Sequence, residues 1–154
     1  MAQVTNPTLS KLAEKYDEGK VEWVLGKAEK QIEKDRTDPE AYLWLSICYL
    51  DLSNSEDQKI LNYYKNALKN AVKYAAKAAS KDEDGNFIRE NWEFIEQLKK
   101  ESLDEAKDQM ESGNYRKANY TFKQLTKVDP NDDNILFLKG VTDLKLNNTY
   151  EAER

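Results

Sequence analysis

No histidine occurs anywhere in the 154 residues, and cysteine occurs once, as Cys48. The first absence removes the commonest general base and metal ligand. The second rules out an internal disulfide and leaves the compartment open. Glycine (5) and proline (3) are scarce too, so few positions demand special backbone geometry, and long helices joined by short turns fit that economy. No apolar run approaches the roughly 18–20 residues needed to cross a bilayer. No cluster of Lys or Arg stands clear of acidic neighbours, unlike the basic face of a nucleic-acid binder. Neither membrane insertion nor nucleic-acid binding is therefore expected.

What the chain does have is 39% apolar and 34% charged residues, nine tyrosines and a net charge of −5. That is too aromatic for a disordered chain and too polar for a membrane protein. The compartment reads as either cytoplasmic or exported after removal of a leader. Met1-Ala2-Gln3 resembles a start added where a leader was cut away, and the chain stops inside a predicted helix. The sequence thus reads as a fragment of a longer protein.

Helical periodicity dominates. Leu9, Leu12, Ala13 and Tyr16 share one face, and Gly19 ends that segment. A second helix covers residues 21–34, with Val21, Val24, Leu25, Ala28 and Ile32 inward. Asp38-Pro39 starts a third, residues 40–52, which is apolar on nearly every side and so is contacted from several directions. Ser55 offers a cap for a fourth helix, expected to run unbroken over residues 56–80 with an Ala-rich second half that allows close approach. Asp82 to Asn86 is a turn. A fifth helix is expected over residues 87–111, unbroken in preference to a restart at the Ser102/Glu105 capping box. The sixth covers 115–127, the seventh 135–146, and an eighth begins at Tyr150.

A repeat overlies these helices. Leu103 and Phe137, Ala106 and Gly140, Met110 and Leu144, Gly113 and Asn147, and Ala118 and Ala152 each stand 34 residues apart. Ala106, Gly113-Asn114-Tyr115, Ala118, Phe122, Leu125 and Asp129-Pro130 give one unit its small seat, turn, inner face and close. Residues 38–68 repeat the scheme with Tyr42, Leu45, Ser46 and Tyr49, then Ile60, Tyr64 and Ala67. On these residues, about two thirds of the chain resembles the tetratricopeptide repeat family. From Ser46 to Ala106 is 60 residues, 26 beyond one period. The surplus makes a stretched hairpin in the middle. Glu105 and Lys139 also stand where the family prefers Leu.

The resemblance implies an all-α fold: a right-handed superhelical stack of antiparallel helix pairs, an α-solenoid of about seven helices. It implies one domain over 1–154, made of a divergent hairpin (9–34), a unit with an elongated second helix (38–81), a unit with an elongated first helix (86–130) and a truncated repeat (131–154). It implies a concave surface lined by the first helix of each unit: Leu43, Ile47 and Leu50, then Leu103, Lys107 and Met110, then Phe137, Val141 and Leu144. A groove so apolar suits a helix or extended peptide docked by hydrophobic anchors. Only Lys107 among the nine would suit the family's clamp for a C-terminal carboxylate. The implied function is a non-catalytic scaffold for a protein or peptide partner. The alternative is a structural domain that self-associates as a homo-oligomer or supports another domain.

Other chemistry was weighed against these. The 80–91 loop is similar to an EF-hand calcium loop, with Asp82, Asp84, Gly85 and Phe87 well spaced. Ser80 and Asn91, however, stand where two anchoring carboxylates belong. It reads as an acidic turn whose Asp84 or Asn86 caps a helix. Cys48, in the most apolar helix, reads as a structural thiol. Asp104/Asp108 and Glu93/Glu96 read as solvated faces; Tyr63/Tyr64 and Trp92/Phe94 are of the kind that anchor partners, and core packing explains most of them equally well. No Gly-rich phosphate loop and no clustered nucleophile and base occur. The chain is expected to be no enzyme and to use no catalytic residue, metal or cofactor.

Overall fold

The computed structural model describes residues 7–152, with side chains over 11–147. The fold is all-α: nine helices and no strand among the described residues. The chain divides into two compact units, the first ending at Leu98 and the second beginning at Lys99. That division falls inside residues 86–130, which the repeat pattern treats as one unit.

The first unit holds α1 (Pro7–Asp17), α2 (Val21–Lys34), α3 (Pro39–Ser53), α4 (Gln58–Tyr63), α5 (Ala67–Lys81), α6 (Asn86–Glu90) and the start of α7 (Trp92–Glu111). Asp38 caps α3 by accepting from the Glu40 N–H, with Pro39 in the first turn. Helix α3 is the centre. It packs on α2 and on α5, so Leu43, Trp44, Leu45, Ile47 and Cys48 are all buried. Against α5 the contact is close because the facing residues are small. Ala71, Ala75 and Ala78 are buried, and Ser46 Oγ donates to the Ala71 carbonyl at 2.6 Å. The buried hydroxyl thereby has the hydrogen-bond partner that a buried polar group needs.

Two helices expected to be continuous are broken. Residues 56–80 split into α4 and α5 at Tyr64, where φ −105° and ψ 58° leave the helical region. Tyr64 is held from outside its own helix: its hydroxyl donates to Glu22 of α2 at 2.8 Å, and its ring meets Tyr49 of α3 edge-on at 6.3 Å. Tertiary contacts override a weak local preference here. The cap of α4 is Asp57, which accepts from the Lys59 N–H; Ser55 instead accepts from the Asp57 N–H. The second break, between α6 and α7, is at Asn91. Its buried side chain donates to the Phe87 carbonyl four residues back, at 2.8 Å. An amide that bonds its own backbone in this way competes with the helix ladder.

In the second unit α7 runs through Ser102 without a restart, and Ser102 is buried rather than capping. The chain reverses at Gly113, whose φ of +80° is strained for a residue with a Cβ. Helix α8 (Tyr115–Val128) follows and packs on α9 (Asp133–Ala152). The repeat pattern places a turn at Asn147-Asn148 and a new helix from Tyr150. Helix α9 instead continues to Ala152, because Asn147 lacks the glycine freedom that turns the chain at Gly113. Residues 153–154 of that expected helix lie outside the described residues. No helix among the described residues is long and apolar enough to cross a membrane.

Candidate interaction surfaces

The nine residues expected on a concave surface separate into two groups. Leu43, Ile47 and Leu50 are core residues, corrected here from groove to interior. All three are buried on a helix that packs on α2 and α5, so none of them stands open to a partner. The other six lie in the second unit. Leu103 and Met110 are half-buried and Lys107 exposed on α7; Val141 is half-buried on α9, while Phe137 (68%) and Leu144 (62%) stand in solvent. Phe137, Val141 and Leu144 fall at i, i+4 and i+7, one stripe along α9. Leu136 beside them is also exposed.

The direction of that stripe is set by polar contacts on the opposite side of α9. Asn119, buried on α8, donates through Nδ2 to Thr142 Oγ1 at 2.9 Å and to Asp143 Oδ1 at 2.7 Å. Ile135 and Thr142 are buried on the same side. Lys139 pairs with Asp143 at 3.0 Å; that bond is the main cause holding the Asp143 carboxyl below its ordinary range, against a burial effect that raises it. Turning α9 about its axis would leave the buried Asn119 without Thr142 and Asp143, so the rotation is fixed. The start of α9 is fixed as well. Asp132 accepts from the Ile135 N–H and meets Lys99 of α7 at 2.8 Å; Lys99 also meets Asp129 at 2.8 Å.

A second surface, unforeseen in the sequence, is an open recess of about 690 Å³ in the first unit. Glu22, Gly26 and Glu29 face it from α2, Tyr49 from α3, and Tyr63 and Tyr64 from the α4–α5 junction. Tyr63 is 80% exposed and edge-on to Tyr64, with centroids 4.7 Å apart. The rings continue inward as an array: Tyr64 meets Tyr49, Tyr49 stacks on Tyr74 at 5.8 Å, and Tyr74 stacks on Tyr42 at 6.4 Å. Burial, then the hydrogen bond to Glu22, pushes the Tyr64 hydroxyl far above its ordinary pKa, so it stays a donor. Gly26 sits mid-helix, where glycine costs roughly 0.5–1 kcal/mol relative to alanine. A Cβ there would meet nothing within 4 Å. No neighbour needs the space, so the missing side chain only deepens the floor of the recess.

The loop similar to a calcium site has its carboxylates engaged elsewhere. Asp82 accepts from the Phe87 and Ile88 N–H groups at 3.3 and 2.8 Å, and Asp84 from the Asn86 N–H. Asp84, one of the two caps expected from the sequence, thus takes the first N–H of α6, and Asp82 takes the next two. Cys48 is fully buried, and burial first, then Asp51, pushes its thiol well above the usual range. A thiol so placed stays protonated. Among the described residues no three His, Cys, Asp or Glu side chains gather as a metal site would need. Set beside known proteins, the chain matches no family model and no curated protein.

Proposed function

We propose that the chain is a non-catalytic scaffold that holds a partner protein or peptide on the outward stripe of α9, within a tetratricopeptide-like arrangement of helix pairs. The observation that carries this reading is the exposure of Phe137 and Leu144 on a helix whose rotation is locked from behind. Large apolar side chains held rigidly in solvent, in register at i, i+4 and i+7, are what an amphipathic helix docks against. Leu103 and Met110, half-buried on α7, would extend the apolar surface, and Lys107 would sit at its polar edge. The surface lies wholly in the second unit, since Leu43, Ile47 and Leu50 are interior.

The same stripe supports a second reading, burial against another copy of this chain in a two-fold dimer. Two measurements separate the readings. Light scattering from micromolar to near-millimolar protein is expected to report a monomer throughout, and immobilised wild-type protein is expected to retain a partner that Phe137→Glu loses. A concentration-dependent dimer dissociated by Phe137→Glu would establish self-association instead. Retention of the partner by Phe137→Glu and Leu144→Glu alike would remove α9 as the docking surface.

A further inference from the structure

We propose that the recess of the first unit binds the cationic side chain of a polypeptide, a lysine ammonium or an arginine guanidinium. The proposal does not rest on the α9 stripe, which belongs to the other unit.

The lining carries three features that point to such a side chain. The first is charge. Glu22 and Glu29 face the recess and Lys65 opposes them, leaving a net −1 from one cation against two carboxylates. The long stem of an exposed Lys65 lets its ammonium turn to solvent. The second is aromatic surface. Tyr63 and Tyr64 meet at an interplanar angle of 73°, as do Tyr49 and Tyr64 at 74°. Rings set roughly perpendicular make a corner, and the negative π faces of such a corner attract a cation. Tyr63 packs edge-on against Tyr64 yet keeps 80% of its surface exposed, open to a ligand.

The third feature is the rim. Asn62, Asn66 and Asn70 supply carboxamides that can pair with the N–H and C=O groups of a peptide flanking the bound side chain. A recess of about 690 Å³ has room for one long side chain and adjacent backbone. Gly26 fits the same account, because any Cβ on it would rise from the floor beneath the cation.

The test is titration of the full ¹⁵N-labelled chain with acetyl-Gly-Lys-Gly-amide and its arginine, norleucine and 1,5-diaminopentane counterparts. The lysine or arginine peptide is expected to shift the amide signals of Gly26, Tyr63 and Asn66 to saturation, with Kd on the order of 1 mM or tighter. The norleucine peptide, which keeps the four-carbon stem but lacks the ammonium, is expected to bind at least about tenfold more weakly. The free diamine, which keeps the charge but offers no backbone to the asparagines, is expected to do the same. Glu29→Gln and Tyr63→Ala, both at exposed positions, are each expected to weaken binding severalfold with the melting temperature unchanged. Gly26→Ala supplies a readout of opposite sign: a higher melting temperature together with weaker binding. The proposal is overturned by equal binding of the norleucine peptide or the diamine, by undiminished binding to Glu29→Gln and Tyr63→Ala, or by no shift with either cationic peptide at about 20 mM.

Discussion

Replacing Leu43 with glutamate is expected to abolish the cooperative unfolding transition of the first unit, while Phe137→Glu leaves stability within about 0.5 kcal/mol of wild type. Both positions read alike in the sequence, as apolar residues on the first helix of a repeat. The structure separates them, since Leu43 is fully buried and Phe137 is 68% exposed. Truncating a buried leucine to alanine already costs about 2–5 kcal/mol through lost transfer energy and the cavity left behind. A carboxylate adds the loss of its hydration with no cation beside it, taking the total above about 5 kcal/mol. That is comparable to the whole stability of a small domain, about 5–15 kcal/mol. Urea titrations followed by helical circular dichroism decide the matter. A Leu43→Glu protein that melts like wild type would show that α3 is not enclosed.

The second large effect is expected at Lys99. Its side chain is 9% exposed and lies 2.8 Å from carboxylate oxygens of both Asp129 and Asp132. Desolvation works to lower its pKa, but the hydrogen bonds to Asp129 and Asp132 outweigh it and the ammonium titrates above its ordinary value. Asp132 is held below the usual carboxylate range, chiefly by its bond to Lys99. Lys99→Met keeps much of the stem but leaves two partly buried carboxylates facing each other. The expected loss is about 2–3 kcal/mol at pH 7, below the full penalty for a deeply buried pair because both aspartates keep some water.

The pH dependence follows from the two directions. A depressed Asp132 contributes stability that is complete above the unfolded carboxylate value, about 3.9, and is lost as pH falls through the folded value. A raised Lys99 contributes stability that is complete below the unfolded lysine value, about 10.4, and is lost as pH rises through the folded one. The difference between wild type and Lys99→Met should therefore be widest at neutral pH and shrink towards both extremes. A difference that stays constant from pH 2 to pH 8 would show that the ion pairs carry none of it.

The class of the fold was legible because helix signals in this chain are local. The bounds of α2 are those of the sequence reading, and those of α3 and α8 fall within a residue of it. Asp38-Pro39 and Gly113 mark them chemically. The breaks at Tyr64 and Asn91 were illegible for the opposite reason. Tyr64 turns because of Glu22 and Tyr49, which are distant in sequence, and Asn91 because its amide is buried against Phe87. The candidate surfaces divide the same way. The repeat resemblance put Phe137, Val141 and Leu144 together, and their spacing keeps them on one face of α9. The burial of Leu43, Ile47 and Leu50 depends on packing from helices distant in sequence, which the repeat pattern does not carry. The recess had two faint signals: a glycine in the middle of an otherwise regular helix, and adjacent tyrosines for which partner anchoring and core packing stayed equally open.

Cys48 makes one property of the first unit directly measurable. Because it is the sole thiol in the sequence and is sealed inside α3, a sulfhydryl reagent can reach it only while that unit is open. The rate of labelling is then a clock on transient opening, with no engineered probe and no competing background from the second unit.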